Sequence, residues 1–285
     1  MRFGWALLAV VFLRAPSWAS SLDLNLASAQ VSEQSSESEG GYLATGDSVP
    51  FGYSPLVDPR DPNNFVGYPE QVTAEEGFET ELNTSCPGET SGSFLSSQAR
   101  DNGCHAFKAL FPLHDGFHPD EVQVIRDAVY LLLHPHTRLV TVMLGADDLF
   151  ILQRDCLGDP VCIQQRLPAT LQALGRNLAE IFSIFRLVGF HGRLVAVQYY
   201  SLNYGDPVAT GIVIALNQVI ADAAHQFQGR VADAFTPFFV ASHPFGGDPC
   251  AAGLLIRLPT GGCDVHPSVA GRNLLANAVE AAFDE

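Results

Sequence analysis

GYLATGDSVPFGY, residues 41–53, joins a short apolar run to a Gly-Asp-Ser turn, and the reading of that turn decides the fold. An apolar run that passes straight into glycine is a strand entering a tight turn. Ser48 in that turn has two readings. Serine is a favoured helix N-cap, because its hydroxyl accepts from the free N–H groups of a first helical turn. A serine at the end of a buried strand is equally a place to present an activated hydroxyl. The tripeptide alone favours the cap, so the decision rests on the rest of the chain.

Beyond the turn, strand and helix patterns alternate. FETELNTSC (78–86) is a second, weaker strand. DEVQVIRDAVYLLLH (120–134) places Ile125, Val129, Leu132 and Leu133 on one helical face, the face expected to meet the core. RLVTVMLG (138–145) is uninterrupted and apolar, as a strand buried on both faces would be. Leu171, Leu174, Leu178, Phe182 and Phe185 then recur at helical spacing within 167–187. RLVAVQYY (193–200) is another buried strand, and Ile212, Leu216, Val219, Ile220 and Ala223 align on a helix over 209–225. RVADAFTPFF (230–239) is the fifth strand, and PSVAGRNLLANAVEAAF (267–283) is a closing helix. Strands alternating with helices imply a mostly parallel sheet covered on both faces, with its sites at the carboxyl ends of the strands. Three turns fall at that edge: GDS (46–48), GADD (145–148) and CDVHPS (263–268). Two long polar loops, 52–77 and 241–265, are expected to border it.

Composition narrows the function classes. The chain has 285 residues, 47% hydrophobic and 16% charged, enough for one large core. Its formal net charge of −16 and its single lysine, Lys108, exclude a nucleic-acid binder, which needs clustered cations on phosphate. MRFGWALLAVVFLRAPSWASS (1–21) has a basic start, a short apolar centre and small residues before Ser20, the pattern of an export signal too short to span a bilayer. Residues 1–19 are expected to be cleaved after Ala19, with Ala29 as the second position. Cleavage removes Arg2 and Arg14 and no acidic residue, moving the charge from −16 to −18. Residues 20–40, ending in a Ser-, Glu- and Gly-rich run, read as a flexible tether, and 41–285 as one domain. Six cysteines in an exported chain fit three disulfides. Short loop closure favours Cys86 with Cys104, Cys156 with Cys162 and Cys250 with Cys263, although sequence alone leaves the connectivity open.

Residues far from the turn change the odds on Ser48. His266 lies just before the closing helix, where an imidazole serves as general base to a serine. Gly88, in NTSCPGETSGSF, offers an unobstructed backbone N–H near a helix start, as half of an oxyanion hole requires. GADD adds a polar group at the end of the third strand. His114, Asp115, His118, His134 and His136 are separated by Gly116 and Pro135 and share no helical face, so they are not expected to hold a metal. Among loop aromatics, Phe51, Tyr53 and Phe245 are candidates for contact with an acyl group.

GDS, SCPGET, GADD and VHP, in this order, resemble the blocks of the SGNH, or GDSL, hydrolases, and the wording is closest to exported bacterial members. The resemblance runs from about Gly41 to the C-terminus. It implies a three-layer α/β/α sandwich with a five-stranded, mostly parallel sheet of flavodoxin-like form. It also implies a serine esterase or lipase with Ser48 as nucleophile, His266 as base, and an oxyanion hole from the Ser48 and Gly88 N–H groups. No Gly-x-Ser-x-Gly elbow occurs, which sets the chain apart from α/β-hydrolases. Two positions depart from the pattern. Asp147 stands where the family has an asparagine donor. The acid expected three residues before His266 is Cys263, so either Asp264 or a backbone carbonyl orients the imidazole. The implied protein is a secreted, extracellular or periplasmic monomer acting on a small-molecule or lipid ester, with no cofactor, no metal and no membrane segment after signal removal. A carbohydrate deacetylase, a phospholipid acylhydrolase, or a weakly active or non-catalytic binding module are the alternatives, the last because of Asp147.

Overall fold

A computed structural model of the chain describes residues 40–285. The expected signal, and the tether up to residue 39, lie outside the described residues. Five strands form one parallel sheet: β1 (Gly41–Gly46), β2 (Thr80–Asn83), β3 (Thr137–Met143), β4 (Arg193–Val197) and β5 (Arg230–Ala232), in the spatial order β2-β1-β3-β4-β5. Every residue of β1 is buried, and so are Leu139, Val140, Val142 and Met143 of β3, because helices cover both faces. One layer holds α1 (Pro69–Glu76), α8 (Phe235–Ser242) and α9 (Val269–Asp284). The other holds α2 (Ser91–Leu95), α4 (Gln123–Leu133), α5 (Ala146–Asp155), α6 (Pro160–Leu187) and α7 (Pro207–Gln226), with the short α3 (Cys104–Leu110) preceding α4. This is the flavodoxin-like order, whose connections leave β1 in opposite directions and open a crevice between the carboxyl ends of β1 and β3.

Four local expectations need correction. The Phe-rich run after β5 is helical: the strand stops at Ala232, Asp233 Oδ1 accepts from the Thr236 N–H (2.9 Å), and α8 follows. A short continuous apolar run does not by itself separate buried strand from buried helix. On α4, Ile125, Val129, Leu132 and Leu133 are exposed, at 61, 48, 59 and 70%. The buried face carries Gln123, Val124, Asp127 and Leu131 instead. Polar partners explain the rotation, since Thr84 Oγ1 donates to Asp127 Oδ1 (2.6 Å) and Gln123 Nε2 to Thr45 Oγ1 (3.0 Å) under the ends of β1 and β2. The stretch 52–77 is not all loop but contains α1. Likewise 241–265 enters an antiparallel hairpin of β6 (Leu255–Arg257) and β7 (Cys263–Pro267).

The cysteines are joined in chain order, Cys86–Cys104, Cys156–Cys162 and Cys250–Cys263. Each closes a short loop and contributes about 2–4 kcal/mol. α7 is long and apolar enough, by length and composition, to cross a membrane. Here it packs on α6, β4 and β5, burying Leu216, Ile220, Ala223 and Ala224.

Candidate active site

β1 ends at Gly46, and no helix follows it. Gly46 has φ 145° and lies so close to β3 that a Cβ would fall 2.2 Å from the Met143 carbonyl oxygen, so only glycine lets the chain turn out of the sheet here. The next residue, Asp47, is buried: its Oδ1 accepts from the Val49 N–H (2.9 Å), and its Oδ2 accepts from the Tyr199 hydroxyl. Burial, reinforced by the Asp147 charge, pushes the Asp47 carboxyl well above the usual carboxylate range. These bonds hold a tight turn that presents Ser48 outward. A helix N-cap role is therefore absent: the chain runs on as turn through residue 52.

The hairpin brings the second group. β7 carries Asp264 and His266 on one strand, and Cys263 ties that strand to Cys250. His266 Nε2 lies 2.8 Å from Ser48 Oγ. Its Nδ1 is hydrogen-bonded to Asp264 Oδ1, which also accepts from the His266 N–H (3.1 Å). An Nδ1–H donated to Asp264 leaves the Nε2 lone pair for the serine proton. Burial pushes Asp264 upward, but hydrogen bonds and charge from His266 outweigh it and hold its carboxyl below the ordinary value. The Tyr53 ring packs against the imidazole, with centroids 4.8 Å apart. Serine, imidazole and carboxylate form one continuous chain, two residues of it contributed by a strand outside the main sheet.

Two further loops close on this chain. Gly88 has φ 86°, and a Cβ there would meet the Asn102 and Gly103 backbone at 2.8 Å. Its carbonyl accepts from the Asn102 N–H (2.8 Å), and the Cys86–Cys104 bridge brackets the whole loop. Among the described residues, neither the Ser48 nor the Gly88 N–H donates a hydrogen bond, so both remain available to an acceptor. After β3, Asp148 in the first turn of α5 ties the second loop to the start of α2, accepting from the Ser91 N–H (2.9 Å) and hydroxyl (2.7 Å). Asp147, 5% exposed, faces the same cleft and accepts at Oδ1 from Asn102 Nδ2 (2.7 Å).

A cavity of about 120 Å³ opens beside Ser48 and His266. Its walls are apolar, from Leu149 and Phe150 of α5, Val213 and Leu216 of α7, and Leu202 and Val265 at the rim. Of the three loop aromatics expected here, Tyr53 packs on His266 and the other two stand elsewhere. Phe51 is fully buried against Phe65, Phe107 and His114, Phe245 is exposed, and neither lines the cavity. The clustered histidines do not converge: His114 Nε2 bonds the Phe51 carbonyl (2.9 Å) and His118 Nε2 the Asp115 carbonyl (3.1 Å). Sequence reasoning also missed Asn102, Tyr199 and the wall residues of α5 and α7. Only the alternation of helix faces hinted at the last of these.

Known proteins bear on this arrangement. No curated protein matches the chain. Solved structures share its fold, and three of them illustrate the likeness. They are phospholipase A1 from Streptomyces albidoflavus NA297 (18% identity, TM-score 0.58, covering 85% of this chain and 99% of that one), an extracellular lipase from Streptomyces rimosus (17%, 0.57, 85% and 99%), and a catalytic mutant of an acetylxylan esterase from Geobacillus stearothermophilus (15%, 0.55, 86% and 94%). At these identities the likeness establishes the fold. The family model of the GDSL-like lipase/acylhydrolases matches residues 44–274, from inside β1 to inside α9, and so takes in the Ser48, Gly88, Asp147 and His266 loops together. The chain belongs to the GDSL-like lipase/acylhydrolase family, the carboxylic ester hydrolases built on this five-stranded parallel sheet.

Proposed function

We propose that residues 41–285 form an exported serine esterase in which Ser48 is the nucleophile, His266 the general acid–base and Asp264 its orienting carboxylate. The observation that carries this reading is the continuous chain from Ser48 Oγ through both imidazole nitrogens to Asp264. Ser48 Oγ attacks the ester carbonyl carbon as His266 Nε2 takes its proton, and the carbonyl π electrons move to oxygen. The Ser48 and Gly88 N–H groups donate to that oxyanion. The imidazolium then gives its proton to the departing alkoxide, leaving an acyl-enzyme. Water enters, loses a proton to His266 and attacks the acyl carbon. Collapse of the second tetrahedral species returns the proton to Ser48 Oγ and frees the acid. Asp264 keeps the productive tautomer and stabilises the imidazolium without taking the proton.

The apolar cavity is the acyl site in this reading, and its walls favour a hydrocarbon chain over an acetyl group. That preference places acyl esters, lipid or small-molecule, ahead of acetylated carbohydrate. The three disulfides fit an oxidising, extracellular destination for a secreted monomer. A fluorophosphonate probe tests the nucleophile: wild type is labelled on Ser48, and Ser48→Ala is neither labelled nor active on p-nitrophenyl esters. A folded wild-type protein that takes no label overturns the proposal.

A further inference from the structure

Asp147 presents a chemical problem. It lines the cleft beside Ser48 and His266, where negative charge develops on substrate oxygen. An ionised carboxylate accepts only, and beside an oxyanion it repels. Charged and titratable groups face it from every side: Asp148 and Arg154 from its own helix, Asp47 from the β1 turn, Tyr199 after β4, His266 from β7, and Glu89 from the Gly88 loop. Three of these, Asp47, Asp148 and Glu89, are themselves carboxyl groups.

Asn102 resolves the geometry. Its Nδ2 donates to Asp147 Oδ1 at 2.7 Å, and its Oδ1 accepts from Arg154 Nη1 at 2.7 Å. A guanidinium has donors only, so the amide oxygen must face Arg154 and the NH2 must face Asp147. The Asn102 N–H meanwhile holds the Gly88 carbonyl (2.8 Å). One residue thus fixes both the Gly88 loop and the Asp147 carboxyl. Oδ1 of that carboxyl is occupied. Among the described residues Oδ2 makes no hydrogen bond, and it is the oxygen left for the cleft.

We propose that Asn102 is the positioning residue of this oxyanion hole: it holds Oδ1 of a neutral Asp147 so that the carboxyl proton sits on Oδ2 and is donated to the substrate oxyanion. This rests on the proposed roles of Ser48 and His266. No proton is transferred in the step. The Oδ2–H bond persists, its hydrogen bond strengthens as charge builds on the carbonyl oxygen, and it relaxes when the tetrahedral species collapses. Burial raises the Asp147 carboxyl to about 6, with the Asn102 hydrogen bond pulling it down and the Asp148 charge pushing it up. The donor is therefore present in acid and lost as pH rises through that value.

The test is kcat/KM on a soluble p-nitrophenyl ester between pH 5 and 8, for wild type, Asp147→Asn, Asn102→Leu and the milder Asn102→Ser. Losing one oxyanion donor costs about 10²–10³-fold. Asp147→Asn, whose amide donates at every pH, is expected to lose the alkaline fall and to exceed wild type about 100-fold at pH 8. Removing Asn102 takes away a donor that favours the carboxylate. Both Asn102 variants should therefore move the alkaline limb to higher pH while lowering kcat/KM at pH 5 about tenfold. A merely structural residue would lower activity without moving that limb, and that outcome overturns the proposal, as does Asp147→Asn showing no gain at pH 8. Fluorophosphonate labelling of each variant separates the two readings. A labelled Ser48 with unchanged pH profiles overturns the Asn102 proposal alone, whereas no labelling of wild type at any pH overturns the esterase reading as well.

Discussion

Asp127 should make this protein less stable as pH rises, against the usual behaviour of carboxylates. The side chain is fully buried on α4 beneath β1 and β2. Its Oδ1 accepts from Thr84 Oγ1, and among the described residues its Oδ2 has no partner. Burial pushes its carboxyl up to about 7, against the hydrogen bonds of Thr84 and Thr45 and the charge of Arg126. In the unfolded chain an aspartate titrates near ~3.9. Below that value both states are protonated and the group is neutral to stability. Between ~3.9 and about 7 the unfolded state ionises while the folded state does not, so stability falls with pH. At ~1.4 kcal/mol per pH unit the loss reaches ~4 kcal/mol and then levels off. Asp127→Asn keeps the shape and an acceptor for Thr84 but cannot ionise. Urea unfolding at pH 4.5, 6 and 8, with disulfides intact, measures the difference. The variant should gain on wild type by a few kcal/mol between pH 4.5 and 8, with an unchanged m-value. A difference that is flat with pH, or that runs the other way, refutes the reasoning.

The active-site geometry carries two other expected outcomes. Asp264→Asn keeps the shape but invites the wrong imidazole tautomer, and kcat on p-nitrophenyl esters near neutral pH should drop about 10⁴-fold. A loss of only a few-fold transfers the orienting role to a backbone carbonyl. Phe150→Ala should widen the cavity and shift the best p-nitrophenyl ester toward longer acyl chains, while Val213→Trp should shift it toward acetyl. An unmoved optimum in both would place the acyl chain elsewhere.

How much of the fold and the site is legible in the sequence depends on whether the deciding forces are local. β1, β3 and β4 are readable because strands buried on both faces are continuous apolar runs. β5 and α8 are not, because a Phe-rich run has the same composition in either state. α4 misleads because its buried face is built from Asp127 and Gln123, whose partners Thr84 and Thr45 belong to loops and strands distant in sequence. Ser48 and His266 stand at motif positions, Asp264 stands one residue away from the motif's acid, and the fold brings the three side chains together. Asn102 carries no motif: it acquires partners only because Cys86–Cys104 folds its loop back onto Gly88 and toward α5. The cavity walls belong to helices whose apolar residues are divided between core and cleft, a division that periodicity alone does not make.

The hairpin that carries His266 pairs with neither edge of the parallel sheet; its own ladder, the Cys250–Cys263 bridge and the Tyr200 hydroxyl, which donates to the Val265 carbonyl (2.8 Å), hold it. The scaffold and the base are thus held by separate fastenings. Reductant that opens Cys250–Cys263 removes a fastening of the hairpin and none within the sheet, so esterase activity is expected to fall before the far-UV circular dichroism does; a parallel loss of the two would refute this.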